Sequence, residues 1–128
     1  MQPMGDWTIQ RLPASAAGRS HGTAYGPLAW AVATSPQKRG DIREQTTAAL
    51  ALLDDLLGSL GSDRTQLLSV SVHMANIGEK AEMDQIWCNW IGVDPDNWPQ
   101  RTCVQAPLAG ELRVEFAVVA ARRVSGAE

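Results

Sequence analysis

The chain has 128 residues, 45% hydrophobic and 20% charged, with a formal net charge of −3. That length suits one domain with a real core, and the acidic balance without a basic run argues against nucleic acid or an anionic membrane as partner. No apolar run approaches the roughly 20 residues that span a bilayer, and the N-terminus lacks the order of a signal peptide, so a cytoplasmic location is expected.

Trp7-Thr8-Ile9 is long enough for a short edge strand, and Arg19 to Tyr25 reads as a second strand. Gly26-Pro27 marks a turn into Leu28 to Thr34, where Leu28, Trp30 and Val32 share one face and Ala29, Ala31 and Ala33 the other. Asp41, with Glu44 three residues on, opens a helix as a capping box. Its apolar stripe runs through Ile42, Thr46, Ala49, Leu50, Leu53, Leu56, Leu57 and Leu60, and Gly61 ends it. Leu67 to Ala75 alternates as a strand, with Leu68, Val70, Val72 and Met74 on one face and Ser69, Ser71 and His73 on the other. Lys80 to Ile91 forms a second helix whose apolar face holds Met83, Ile86, Trp87, Trp90 and Ile91, stopped by Gly92. Asp94 to Pro99 is a loop, and two closing strands follow, separated by Pro107 to Glu111.

Strands outnumber helices, which predicts an α+β single domain over residues 1–128: a mixed sheet of about six strands with two helices on one face. Residues 122–128 read as a flexible tail. The uncovered sheet face, taken to carry alanine and valine, is expected to be buried against another copy of the chain. Cys88 and Cys103 make neither a disulfide framework nor a zinc spacing and read as reduced thiols; no metal is implied.

The closing strand Leu112 to Ala121 is apolar on both faces yet carries Glu115 at its centre. A carboxylate so placed costs several kcal/mol unless it is paired or has chemical work to do. If the two closing strands form a hairpin, Cys103 falls opposite Glu115 and Arg101 opposite Ala117. Arg101, Cys103, Gln105 and Glu115 then share a face. Two readings stand side by side: a structural ion pair, or an arginine clamp for a substrate carboxylate beside a glutamate that handles water or a proton.

Arg101-Thr102-Cys103-Val104-Gln105-Ala106 with Leu108, then Val114-Glu115-Phe116 and a run of Val and Ala, resembles the C-terminal motif of the RidA family, also called YjgF/YER057c/UK114. The similarity reaches back through Asp41 to Thr46 and covers roughly residues 19 to 122. It implies a chorismate-mutase-like fold, a homotrimer, and active sites in clefts between subunits. It also implies hydrolysis of small enamine and imine carboxylates, such as 2-aminoacrylate, to a keto acid and ammonia, with no cofactor and no metal. Arg101 matches the family's carboxylate-binding arginine and Glu115 the glutamate that positions water, and Cys103 matches a cysteine lining the pocket. The chain departs from active members in two places. Ala33-Thr34-Ser35-Pro36 stands for Ser-Gly-Gln, so that Ser35 matches the serine while the glycine is lost, and the usual N-terminal tyrosine has no counterpart. Arg19-Ser20 resembles a divergent branch of the family, and the rival reading is a non-catalytic module that binds small carboxylates or protects other proteins.

Trp98, just before Arg101, either caps the pocket or sits at a subunit boundary. His73 reads as a surface or inter-subunit histidine, because no Ser-His-Asp or Cys-His arrangement accompanies it. Trp87 and Trp90 read as core, and Glu44, Asp54 and Asp55 as a solvated helix face.

Overall fold

The computed structural model describes residues 7–123. Eight main elements follow in the order β1 (Gln10–Pro13), β2 (Ser20–Tyr25), β3 (Leu28–Ala33), α1 (Ile42–Ser59), β4 (Leu67–Met74), α2 (Lys80–Ile91), β5 (Gln100–Gln105) and β6 (Val114–Ala121). They build one six-stranded mixed sheet, ordered β1-β2-β3-β6-β4-β5, with both helices on one face. The expected α+β architecture is the one observed. Trp7 to Ile9 lies ahead of β1 rather than forming a strand.

Helix α1 starts where its cap chemistry places it. The Asp41 side chain accepts from the Glu44 backbone N–H at 2.8 Å, and Glu44 returns a bond to Asp41 N at 2.9 Å, satisfying two of the first turn's free donors. At the far end Gly61 takes φ of +80°, which a side chain would resist. Gln45 is fully buried on the inner face of α1. It donates to the Gly40 and Glu111 carbonyls and accepts from Arg113 N–H, tying the helix start to the segment before β6.

The alanine face of β3 lies under the helices: Ala29, Ala31 and Ala33 are buried, while Trp30 and Val32 are 37% and 45% exposed on the other face. This corrects the expectation of an alanine-rich uncovered face. Methyl side chains let a helix approach the sheet closely, so the small face is covered and the bulky one left open. A second correction concerns β4. Its ladder with β6 shifts between Leu67 and Ser69, so Leu67 turns inward and Leu68 is 48% exposed.

The hairpin of closing strands does not form. β6 is central, antiparallel to both β3 and β4, while β5 pairs parallel with β4 at the sheet edge. The link from β4 to β5 is a crossover through α2, and residues 106–113 carry the chain past β4 to β6. A central position gives this strand a ladder on each side and cover from the helices on one face, while the residues of its other face are only half-buried within one chain.

Arg122 and Arg123 are not part of a loose tail. Arg122 donates to the carbonyls of Leu60 and Gly26 and to Gln10 Oε1, and Arg123 pairs with Asp63 at 2.6 Å. Residues 124–128 of the expected tail lie outside the described residues.

Candidate functional site

Strand pairing decides which predicted residues meet. Val72 of β4 is the partner of Cys103 on one side and Phe116 on the other, so these three share the helix-covered face, with Arg101 two residues along. His73 is the partner of Glu115 and Val104, and these three share the uncovered face. Arg101 and Glu115 therefore stand on opposite faces of the sheet within one chain. The shared-face constellation is overturned because β4 lies between their strands and β5 runs parallel to it.

Arg101 is set in a small cluster of its own. Its Nη2 donates to Asp84 Oδ1 at 2.6 Å, and its guanidinium carbon lies 5.3 Å from the centre of the Trp87 ring. Lys80, one turn earlier on α2, holds the other Asp84 oxygen at 2.7 Å. Two cations share one carboxylate, leaving one surplus positive charge at the seam between α2 and the edge strand. The Arg101 side chain is 17% exposed, so most of it is covered within one chain while part of it stays in reach of solvent.

Burial works against the Asp84 carboxylate, yet the hydrogen bonds from Lys80 and Arg101 and their charges together hold it below the ordinary value of 3.8. A carboxylate depressed on folding adds stability at pH values above its unfolded value and loses it as pH falls through the folded one. Asp84→Asn is accordingly expected to be less stable than the parent at pH 7 in urea unfolding, with a gap that narrows as pH drops below 3.8. An equal gap at pH 7 and pH 3 would contradict this.

Cys103 is half-buried beside Arg101. Burial pushes its thiol up, and the pull of Arg101 and Lys80 does not reverse the shift. A thiol held neutral in this way is a poor nucleophile. Cys88 is also a free thiol.

The other predicted residues lie apart from this cluster. Ser35 is buried at 2% exposure, next to a cavity of about 590 Å³ between the loop after β3 and the outer face of α1, lined also by Arg39, Glu44, Leu52 and Asp55. Neither Arg101, Cys103, Trp98 nor Glu115 lines it. Trp98 is 54% exposed at the end of a short 3-10 turn, and its Nε1 donates to Gly92 O at 2.9 Å. Glu115 accepts at 3.0 Å from His73 Nδ1.

Asp84 was not foreseen, although its spacing from Lys80 is a helical i,i+4 pair and Arg101 needed a counter-ion. Asp54 is likewise no solvated residue: it accepts from Arg64 and from Trp90 Nε1. Among the described residues no group of three or more His, Cys, Asp or Glu has the arrangement of a metal site, and no helix is long and apolar enough to cross a membrane.

The model of the Endoribonuclease L-PSP family matches residues 15–122, most of the chain. The chain belongs to that family, the RidA or YjgF group. A RutC family protein of Haemophilus influenzae is 32% identical over 116 residues, covering 88% of this chain and 97% of that protein. Two solved structures superpose closely. An uncharacterized protein from Pseudomonas aeruginosa has TM-score 0.82 at 34% identity, over 91% of this chain and 100% of that one. A YjgF family member from Neisseria meningitidis has TM-score 0.83 at 29% identity, over 93% of this chain and 98% of that one.

Proposed function

We propose that this RidA-family protein is a hydrolytic deaminase of small enamine and imine carboxylates, converting 2-imino acids to 2-keto acids and ammonia in clefts between the subunits of a homotrimer. The observation that carries the reading is Arg101: the family-matched arginine is propped by Asp84 and Trp87, backed by Lys80, and still 17% exposed. A planar fork with surplus positive charge around it suits a carboxylate. Cys103 forms the adjoining wall, and Ser35 and Trp98 are assigned to parts of the cleft completed by a neighbouring copy.

Water adds through its oxygen to the imine carbon, its protons pass to the nitrogen, and the C–N bond breaks to leave a carbonyl and ammonia. Glu115 is the group assigned to hold and deprotonate that water. Because it faces away from Arg101 in its own chain, the Glu115 that completes a cleft comes from the next copy. The open sheet face supports such association, since Tyr25, Trp30, Val32 and Val104 are exposed on it. The formal charge of −3 offers a phosphate backbone little attraction, so the ribonuclease in the family model's name is not carried over.

The test generates 2-aminoacrylate with a PLP-dependent lyase and follows keto-acid appearance with and without the protein. Acceleration is expected, and its absence would sink the reading. Light scattering is expected to give three times the chain mass; a monomer removes the cleft.

One observation favours a second reading, a non-catalytic module that binds small carboxylates or protects other proteins: Glu115 is engaged by His73 on the face opposite Arg101. In that case keto acids raise the melting temperature through Arg101 while hydrolysis is not accelerated.

A further inference from the structure

Glu115 does not stand alone on the uncovered face. His73 Nδ1 lies 3.0 Å from its Oε1, and the two residues are direct partners across β4 and β6. Val104 flanks His73 on β5, Ser71 and Ala117 form the next pair along the ladder on one side, and Thr102 is the partner of Ser71, none of them charged; on the other side Arg113, two residues before Glu115, is paired with Glu79 at 3.0 Å. The His73 and Glu115 side chains are 33% and 32% exposed, so the bond is partly screened from water while both residues keep an accessible edge.

A carboxylate oxygen only accepts hydrogen bonds, so the proton between these atoms sits on the imidazole. In the neutral ring this selects the Nδ1–H tautomer and leaves Nε2 as an acceptor. Glu115 is thereby held by one oxygen, with Oε2 the one left for another partner.

We infer that His73 is a positioning residue for Glu115: its Nδ1–H fixes Oε1 so that Oε2 is presented to the attacking water. The role in catalysis rests on the assignment of Glu115 proposed above. The water proton passes to Oε2 as the oxygen–carbon bond forms, and is then delivered to the departing nitrogen; His73 keeps the carboxyl group from turning between the two transfers. A histidine that only filled space on the sheet would show no preference for one tautomer and no rescue by a smaller donor.

The chain has two histidines, His21 and His73, so ¹⁵N-histidine labelling of the full protein gives two rings, assigned with His73→Asn. The neutral His73 ring is expected in the Nδ1–H form, and that preference is expected to vanish in Glu115→Ala. With 2-aminoacrylate as substrate, His73→Ala is expected to lower kcat about 10-fold with KM within about twofold, a part of the roughly 10²–10⁴ that general acid–base catalysis contributes. His73→Asn, whose amide N–H takes the place of Nδ1–H, is expected to recover most of that loss. A wild-type ring in the Nε2–H form, or an active protein whose His73→Ala kcat equals the parent's, overturns the inference. If the wild type hydrolyses nothing, the deaminase reading falls instead, and the tautomer measurement still decides whether His73 holds Glu115.

Discussion

Arg101→Ala is expected to lower kcat/KM for a 2-imino acid about 100-fold, because charge-assisted hydrogen bonds are worth roughly 1.5–3 kcal/mol each and every 1.4 kcal/mol is a factor of ten. The same loss is expected in the affinity for a keto acid, so the experiment bears on binding as well as on turnover. Arg101→Lys keeps the charge without the two-pronged geometry and is expected to fall between the two. Folding should survive both changes. Asp84 retains Lys80 at 2.7 Å, so its carboxylate is not left without a cation. Kinetics alongside a melting curve separate the effects, and a kcat/KM within threefold of the parent would remove Arg101 from the site.

The largest loss of stability is expected from Phe116→Ala, about 3–5 kcal/mol, or a melting temperature lower by about 10–20 °C at fixed protein concentration. Phe116 is fully buried on the central strand and stacks on Trp87 at 6.0 Å with the rings 12° from parallel, so it joins α2 to the middle of the sheet. Its removal leaves a hole bordered by two elements that cannot close on it, since α2 is also held through Arg101 and β6 by ladders on both sides. Set against a total of roughly 5–15 kcal/mol, that is a large share. Urea unfolding of Phe116→Ala and Phe116→Leu gives the comparison: the leucine variant is expected to lose less than about 1.5 kcal/mol. A loss below 1 kcal/mol for the alanine variant would mean that the core collapses around the gap.

The elements themselves were legible because their signals are local. Asp41 and Glu44 announce the start of α1, Gly61 and Gly92 stop the two helices, and the apolar spacings of α1 and α2 name their buried faces. Strand pairing was not legible in the same way. β5 and β6 are neighbours in sequence, and a short Pro- and Gly-containing link suggests a hairpin; the partner of β5 is instead β4, which ends at Met74 and is reached through a helix. The doubly apolar pattern of β6 already pointed to a central strand, and a central β6 leaves β5 free to pair elsewhere. The error carried through to the site, since placing Arg101 and Glu115 on one face depended on that single pairing. Glu115 stands out by its chemistry, a carboxylate among apolar neighbours, and Arg101 by its place in the family-like motif, while their partners His73 and Asp84 were assigned no such role.

The strand that carries Arg101 lies at one edge of the sheet and has a ladder on one side only. Local opening free energies are smallest where backbone bonds are few and exposed, so amide hydrogens of β5 should exchange with deuterium well before those of β6. A carboxylate gripped by Arg101 then does more than occupy a site: it fastens the margin of the sheet, and protection of the amides around Thr102 and Val104 becomes a ligand signal that needs no turnover.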